Sequence, residues 1–328
     1  MKCLVVIVCY KAVDLTIDCL RSLEPEIPTV PGTKVAVCEN GTGPDAVAQL
    51  ERAIADNGWS DWVELTAIHP NRGFTGGNNA ILEPALAAND APDYFLLLNA
   101  DTIVHPGALK QLVDAADTSP DLGIIGPRLE GEDGQAQVSA FRFHSPVSEL
   151  IHSACTGPIT SLLHRRDVVL DVPDEPTDAQ WVSFACALVR REVFEQVGVF
   201  DEGYFLYFDD PDLCRRAHRA GWRIRYWPCA RVMHLCGQSN PLVEQERVNK
   251  RRPSYYYVSR TRYFAKHYGR VGLLAANALW LAGRAVSLTR ELLGRKRRHI
   301  CRQEWRDIWT NFWNPLRMPD AQQKAQWR

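Results

Sequence analysis

The chain has 328 residues, of which 46% are hydrophobic and 23% are charged, and its formal net charge is −1. This composition is that of an ordinary folded protein with one large core or two smaller ones, and it excludes an intrinsically disordered chain. The ten cysteines form no C-x-x-C pair, which favours buried free thiols in a reducing cytosol. We expect no cleavable leader, because the first residues already have the pattern of a strand.

The charge is distributed unevenly along the chain. Residues 241–328 carry 19 Lys and Arg against 6 Asp and Glu, a net charge of +13, so residues 1–240 carry −14. A basic C-terminal region behind an acidic body predicts a polyanionic partner, either nucleic acid or an anionic membrane surface.

Strand and helix patterns alternate over residues 1–130. The predicted strands are Leu4–Cys9, Lys34–Cys38, Val63–Ile68 and Tyr94–Leu98, and the predicted helices are Asp14–Leu23, Asp45–Ala55, Asn78–Ala88 and Pro106–Ala116. Such alternation predicts an α/β fold with a mostly parallel sheet flanked by helices. Ligands of such sheets bind at the carboxyl ends of the strands, where Glu39, Asn71 and Asp101 are expected.

The second half of the chain is less regular. We predict no regular structure for residues 131–180. Further on, the patterns predict strands over Trp181–Val189 and Arg223–Tyr226, helices over Arg191–Val197 and Asp212–Ala220, and a mainly helical region over residues 255–313.

The segment Val271–Leu293 is mostly apolar but contains a polar stripe. The spacing of Asn277, Arg284, Ser287 and Glu291 places them on one narrow face of a helix. This pattern favours a helix that lies in a membrane interface or packs in a core over one that spans a bilayer alone. The basic run 295–298 follows and favours anionic lipid, although a solvated helix face is the simpler alternative.

Acidic side chains are concentrated at two places. Asp209, Asp210 and Asp212 directly follow the apolar run Tyr204–Phe208, and Asp101 ends a buried strand. Three carboxylates so close together repel one another and resist burial, unless a cation, a proton in transit or an Arg partner needs them. One site is typical of a general base and the other of a metal ligand, and together they indicate group transfer from a diphosphate donor.

Eight short motifs occur in a characteristic order along the chain. They are Val8–Tyr10, Cys38–Thr42, Asn71–Asn79, Leu98–Thr102, Trp181–Ser183, Val199–Glu202, Tyr207–Leu213 and Val232–His234. In this order they resemble the family 2 glycosyltransferases, and within them the rhamnosyltransferase-like branch, over roughly residues 3–240. The resemblance implies a GT-A-type fold for residues 1–240, followed by a helical basic extension over residues 241–328 that is a candidate membrane-association segment.

The resemblance also implies roles for the acidic residues and one histidine. Asp210 would be the catalytic base, with Asp209 as the second choice, while Asp212 would cap the following helix or pair with Arg215 or Arg216. Asp101 would bind Mg²⁺ or Mn²⁺, and His234 would complete the metal site. The alternatives are a helix N-cap at Asp101, a structural His234, and an acidic cluster that complements a helix dipole.

The remaining predicted site residues fall into two groups. The nucleotide-sugar site would comprise Cys9, Tyr10, Glu39, Asn71, Arg72, Gly73, Gly77, Asn78, Asn99 and Ala100. Trp181 and Ser183 would shape the acceptor pocket, where Phe184 replaces the small Gly that the family often has. Glu39 replaces the family's usual Asp. The alternative to a nucleotide contact is that Glu39 is an exposed acid in a turn, and the alternative to an acceptor contact is that Trp181 is a core aromatic residue.

The expected function is metal-dependent, inverting, hexosyltransferase-type sugar transfer from a nucleotide-diphosphate donor, with dTDP-L-rhamnose as the donor suggested by the branch. The acceptor would be a glycan or a lipid-linked glycan of a cell-surface polysaccharide. The protein would be cytoplasmic and peripheral on the inner face of the membrane, and nucleic acid is not the favoured partner. The alternatives are a nucleotidyltransferase and a non-catalytic nucleotide-sugar-binding or RNA-binding protein.

Overall fold

The structure is a computed structural model that describes residues 1–235, 250–294 and 299–327. It divides into two compact units. Unit 1 comprises residues 1–141, 171–201 and 210–239, and unit 2 comprises residues 142–170, 202–209 and 240–328. The predicted domain boundary at residue 240 stays a prediction. Unit 2 contains two segments from before this boundary, residues 142–170 and 202–209, in addition to the C-terminal residues.

Unit 1 is built on a mixed sheet. Its strands are β1 (Cys3–Cys9), β2 (Thr33–Asn40), β3 (Val63–Ile68), β4 (Tyr94–Asn99), β5 (Thr102–Val104), β6 (Leu122–Glu130), β8 (Thr177–Ala179), β10 (Cys186–Arg190) and β11 (Arg223–His234). The order is β3-β2-β1-β4-β10-β6-β11-β5, and β8 pairs with β11. The first four strands of this order are parallel, whereas β10 is antiparallel to both of its neighbours. Two short strands, β7 (Ala140–Phe141) and β9 (Trp181–Val182), form a separate pair.

Helices cover the sheet of unit 1. They are α1 (Val13–Leu23), α2 (Pro44–Asp56), α3 (Gly73–Ala87), α4 (Ala108–Thr118), α7 (Arg191–Val197) and α8 (Asp209–Arg219), whose first residue belongs to unit 2. The central strands are apolar on both faces because helices bury both faces of the sheet. The predicted α/β class with a mostly parallel, helix-flanked sheet is thereby confirmed.

Unit 2 is mainly helical in the part of it that the structure describes. Its helices are α5 (Pro146–Ala154), α6 (Gly157–Leu162), α9 (Ser254–Leu292), α10 (Glu304–Asp307) and α11 (Ala321–Gln326). Helix α9 consists of two helical stretches, because Gly269 has a non-helical backbone with φ of 68°. Tyr257 and Tyr263 are buried among the helices of this unit, as expected if the aromatic residues of the C-terminal region pack its core.

Several predicted elements differ from the structure. Helix α3 begins at Gly73 instead of Asn78, and the predicted strand Trp181–Val189 is divided into β9 and β10. The region 131–180 contains α5 and α6 in addition to short strands. The predicted helical region covers residues 255–313, whereas the observed long helix ends at Leu292. The basic run 295–298 lies outside the described residues.

Candidate functional site

The carboxyl ends of three parallel strands form one edge of the sheet. Strand pairing sets Cys9 beside Glu39, and Val8 beside Asn99. Tyr10 and Ala100 directly follow β1 and β4. The sequence-predicted nucleotide-site residues on these strands are therefore brought together at one edge, the location at which open α/β sheets bind ligands.

Asp101 and His234 meet at this edge although they are far apart in sequence. The distance between Asp101 Oδ1 and His234 Nε2 is 3.5 Å, and the Asp101 side chain is buried. Antiparallel pairing of β5 with β11 causes the encounter, and the Leu235 N–H donates to the Asp101 carbonyl at 2.9 Å. Gln137 Nε2 donates to the His234 carbonyl at 2.9 Å, which fixes this end of β11 from the other side.

The donor set of this pair suits a divalent cation. A carboxylate oxygen and an imidazole nitrogen are both ligands of Mn²⁺, and the carboxylate alone suits Mg²⁺. In the described residues, no group of three or more His, Cys, Asp and Glu side chains has an arrangement that would hold a metal ion. The pair therefore supplies part of a coordination shell, which would leave positions for oxygen atoms of a diphosphate.

Asp210 is held at the start of α8 by the backbone of the neighbouring segment. The Phe184 N–H donates to Asp210 Oδ2 at 3.0 Å, and the next residue's carbonyl accepts the Asn99 N–H at 2.9 Å. Asp210 is thus linked to the tip of β4 by two hydrogen bonds and one peptide. Asp210 is half-buried, so its side chain is partly accessible from solvent.

The residues before Asp210 have an unusual backbone. Tyr207 and Phe208 have φ of 68° and 63°, in the left-handed region that costs a non-glycine residue about 1 kcal/mol or more. Asp209 follows as the first residue of α8 and is buried. Of the two acids, Asp210 is the more accessible, which favours it over Asp209 as the residue that meets an acceptor.

Asp212 has a structural role. Its carboxylate accepts a hydrogen bond from Arg216 Nε at 2.9 Å, one helical turn on. Arg216 also donates to the carbonyls of residues 197–199. The pairing with Arg216 was one of the two predicted roles for Asp212, and Arg216 in turn ties α8 to the segment 197–199.

Glu39 is buried and serves its own turn. Its carboxylate accepts hydrogen bonds from the Thr42 N–H at 2.6 Å and the Gly41 N–H at 3.3 Å. The alternative of an exposed turn acid is therefore wrong. Such a carboxylate orders the loop after β2, and it would contact a nucleotide only with the oxygen lone pairs that these amides leave free.

The loop before α3 is clamped to β2 by side-chain amides. Asn40 accepts a hydrogen bond from the Arg72 N–H and donates to the Gly73 carbonyl, both at 2.9 Å. Asn71 Oδ1 accepts from the Gly73 N–H at 2.7 Å. These contacts bring Asn71, Arg72 and Gly73 to the edge that carries Glu39.

Two glycines permit this close approach. A Cβ atom at Gly41, where φ is 88°, would lie 2.4 Å from the Asn71 nitrogen, and one at Gly77 would lie 2.7 Å from Val8 Cγ1. The sequence suggested that Asn78 starts the helix, but the structure shows that it does not. It lies in the second turn of α3 and its side chain donates to the Phe74 carbonyl at 2.9 Å, because the helix already begins at Gly73.

The predicted acceptor residues lie on β9 and the loop after it. The Trp181 ring stacks on Phe141 with centroids 4.0 Å apart and remains half-buried. The Ser183 hydroxyl accepts from the Ala185 N–H at 3.2 Å. Phe184 is fully buried and packs edge-on against Phe200, so its ring contributes to the core while its amide holds Asp210.

The thiols near the sheet edge are not nucleophiles. Burial raises the pKa of Cys19 and of Cys38 to about 12, and it also raises the pKa of Cys9. These side chains stay protonated at neutral pH, and a thiol attacks carbon only as the thiolate. The chemistry of the site therefore depends on carboxylates and histidine.

Sequence reasoning missed residues that position the site. Asn79 exchanges two hydrogen bonds with the backbone of Phe200, at 2.9 and 3.1 Å. Asn40 clamps the loop before α3, and the amide of Phe184 anchors Asp210. The two asparagines could have been found in the sequence, because each is a polar side chain within an apolar helix or strand. The Phe184 contact could not, because a backbone N–H donor leaves no signal in the sequence.

A family model described as "Glycosyltransferase like family 2" matches residues 2–256. The N-acetylglucosaminyl-diphospho-decaprenol L-rhamnosyltransferase of Mycobacterium tuberculosis is 34% identical over 203 residues, which is 55% of this chain and 65% of the relative. The rhamnosyltransferase WbbL of Escherichia coli is 27% identical over 172 residues, 51% of this chain and 62% of the relative. The chain thus matches slightly less than two thirds of the length of these relatives.

Two solved structures have a similar fold. GalNAc-T7, solved with UDP, GalNAc and Mn²⁺, aligns with a TM-score of 0.56 at 13% identity, over 97% of this chain and 58% of the other. The mannosyltransferase PcManGT of Pyrobaculum calidifontis, solved with GDP-Man and Mn²⁺, aligns with a TM-score of 0.53 at 14% identity, over 96% and 84%. At these identities the likeness concerns the GT-A fold.

Proposed function

Because the chain belongs to the glycosyltransferase-like family 2, we propose that it transfers a sugar, with inversion, from a nucleoside-diphosphate donor to a hydroxyl group of an acceptor. The observation that carries the proposal is the pair formed by the buried Asp101 and the half-buried His234 at the edge of the sheet, 3.5 Å apart. Asp210 is linked to the same edge through the backbone of residues 184–185. A cation site and a base close to one strand tip are what this reaction requires.

Asp101 and His234 would hold Mg²⁺ or Mn²⁺. When bound there, the cation neutralises the charge that develops on the departing diphosphate. The nearby clamped loop would bind the rest of the donor, with Asn71, Arg72 and Gly73 facing the nucleotide and Glu39 ordering the opposite turn. Arg72 is half-buried, and its guanidinium suits an anionic group.

Asp210 would act as the general base. Its carboxylate takes the proton of the acceptor hydroxyl while the acceptor oxygen bonds to the anomeric carbon, and the bond from that carbon to the diphosphate oxygen breaks. The nucleoside diphosphate leaves with the electron pair of the broken bond. One attack from the face opposite the leaving group inverts the anomeric configuration.

The substrate classes are inferred from the relatives. Two of them are named as rhamnosyltransferases, one of which acts on a diphospho-decaprenol-linked sugar. We infer dTDP-L-rhamnose as the donor and a lipid-linked glycan as the acceptor, in the synthesis of a cell-surface polysaccharide. Trp181 would stack on a sugar ring of the acceptor, and the protein would work in the cytoplasm at the inner face of the membrane.

Calorimetry of nucleotide binding tests the proposal. We would compare dTDP, UDP and GDP, each with Mn²⁺ and with EDTA, on the wild-type protein and on Asp101→Ala. The proposal expects one nucleotide to bind in a metal-dependent way and the variant to lose that binding. If no nucleotide binds with or without metal, the transferase proposal fails and a non-catalytic binding protein becomes the better description.

A further inference from the structure

The second stretch of α9 exposes an almost entirely apolar surface. Five large apolar side chains on this stretch are exposed at successive spacings of 3, 7, 7 and 4 residues. They are Val271, Leu274, Leu281, Leu288 and Leu292, which we call the apolar face. The side chains of Val271 and Leu292 are almost fully exposed to solvent, at 82% and 80%. Between residues 271 and 289 the other exposed positions are three alanines, Val286 and a single polar residue, Thr289.

The side of this helix that faces the rest of unit 2 holds the polar groups. Asn277 and Ser287 are fully buried, and Asn277 Nδ2 donates to the Ile308 carbonyl at 3.1 Å. The Arg284 guanidinium pairs with both carboxylate oxygens of Glu291, at 2.6 and 3.0 Å. The polar stripe predicted from the sequence therefore points into unit 2, and the apolar residues point outwards, the reverse of a helix on a water-soluble surface.

Three tryptophans are exposed in the same unit. Trp305, Trp309 and Trp313 recur every four residues, and all three are exposed. Arg270 Nη2 donates to the Trp313 carbonyl at 3.1 Å, which places Trp313 at the end of the helix that carries Val271. Tryptophan rings are apolar with one polar N–H, and they concentrate where hydrocarbon meets lipid head groups.

Basic residues lie at both ends of the apolar face. Arg270 is exposed beside Val271. At the other end, Arg290 is half-buried and donates to the Cys155 carbonyl at 3.1 Å. Leucine flanked by arginine combines insertion into acyl chains with attraction to lipid phosphates.

We propose that the apolar face of α9, with the exposed tryptophans and the arginines at its two ends, docks on the surface of an anionic lipid bilayer. The helix lies in the plane of the membrane and unit 2 covers its polar side. From Val271 to Leu288 the face is about 26 Å long at the usual rise per residue. A second copy of the chain fits this face poorly, since arginine at both ends would meet arginine in either orientation of two paired helices.

The helix is also long and apolar enough to cross a bilayer by length and composition. Its packing argues for the surface orientation. A Cβ atom at Gly283 would lie 2.1 Å from Ser153 Oγ, so α9 and α5 are in close backbone contact along one side. A spanning helix would draw α5 and the buried pair of Arg260 and Glu149 with it into hydrocarbon, where charges are expensive.

Docking rests on the proposed function only for its biological purpose, because a lipid-linked acceptor would be presented at the same membrane surface.

Flotation of the full chain with vesicles tests docking by itself. We would use phosphatidylcholine vesicles with and without phosphatidylglycerol, and compare wild type with Leu281→Asp. Val138→Asp in unit 1 is the matched control, because Val138 and Leu281 are similarly exposed, at 43% and 38%.

We expect wild type and Val138→Asp to float with the anionic vesicles, and Leu281→Asp to bind at least about tenfold more weakly, because it places a charge in the inserted face. Arg270→Gln should lose about fivefold affinity on anionic vesicles only, because it removes one basic charge beside the inserted face. Circular dichroism of each variant checks the fold.

Two vesicle-binding results and one sedimentation result would overturn docking. Wild type that stays unbound on anionic vesicles refutes it, and so does equal binding by Leu281→Asp and the control. If sedimentation instead finds a dimer that Leu281→Asp dissociates, the face is an interface between copies. Calorimetric nucleotide binding is measured on the same samples, so a failure of docking and a failure of the transferase proposal are read out separately.

Discussion

Replacing Asp210 with Asn separates proton transfer from folding at this site. The Phe184 N–H donates to Asp210 Oδ2 at 3.0 Å, and the amide oxygen of Asn accepts the same hydrogen bond. The variant should therefore keep the start of α8, while it loses the group that takes the acceptor proton. A general base contributes on the order of 10²–10⁴ in rate, which corresponds to about 3 to 5 kcal/mol of transition-state stabilisation.

The assay is the initial rate of sugar transfer from dTDP-rhamnose to a lipid-linked acceptor, with nucleotide affinity measured in parallel. Asp210→Asn should lose about 10²–10⁴ in turnover and keep its nucleotide affinity. Asp212→Asn is the matched control two residues further along the same helix, because it removes the charge that pairs with Arg216 and should lower stability by about 2 kcal/mol. Turnover of Asp210→Asn within about threefold of wild type would refute its role as the base.

Three further predictions concern stability. Gly77→Ala should destabilise the protein by about 1 to 3 kcal/mol in denaturant titrations and weaken nucleotide binding, because the new Cβ would lie 2.7 Å from Val8 Cγ1; an unchanged midpoint would contradict the close packing. Burial lowers the pKa of His144 to about 4 from 6.5, so the neutral ring stabilises the fold above pH 6.5 and this contribution, at most about 3 kcal/mol, is lost as the pH falls towards 4. His144→Leu should flatten the dependence of stability on pH in that window, and an identical pH profile would refute the assignment. Glu149→Gln should cost about 3 kcal/mol, since it leaves the buried Arg260 without the carboxylate that lies 2.7 Å away; a loss below about 1 kcal/mol would show that the pair matters little.

The first half of the fold is predictable because its signals are local. Short apolar runs separated by helical spacing define β1 to β4 and the helices between them, and the observed bounds differ from the predicted ones by few residues. Strand β6 (Leu122–Glu130) was missed, since its two glycines and Pro127 interrupt an otherwise strand-like run. Helix α5 was missed because it is short, and much of its stability comes from packing against α9.

The composition of the site was easier to predict than its geometry. Asp101 and Asp210 were identifiable because carboxylates after apolar runs are costly without a function. Their surroundings depend on pairing between distant segments, since β5 with β11 delivers His234, and the loop before β10 delivers the amide of Phe184. Contacts of this kind leave no periodicity in the sequence, so the distance between Asp101 and His234 could be obtained only from the structure.

Helix α9 shows a different limit of sequence periodicity. The pattern of Asn277, Arg284, Ser287 and Glu291 identifies a polar side and an apolar side, but it does not state which side meets the solvent. On a soluble protein the polar side usually meets the solvent. Here the polar side faces inward, because Asn277 makes buried hydrogen bonds and Arg284 pairs with Glu291. Each of these polar groups is satisfied inside unit 2, so the reversal costs little there, whereas the exposed leucines are favourable only if water is not their final surroundings. An inward polar stripe with fully paired groups is therefore a more specific indication of a lipid-facing surface than hydrophobicity alone.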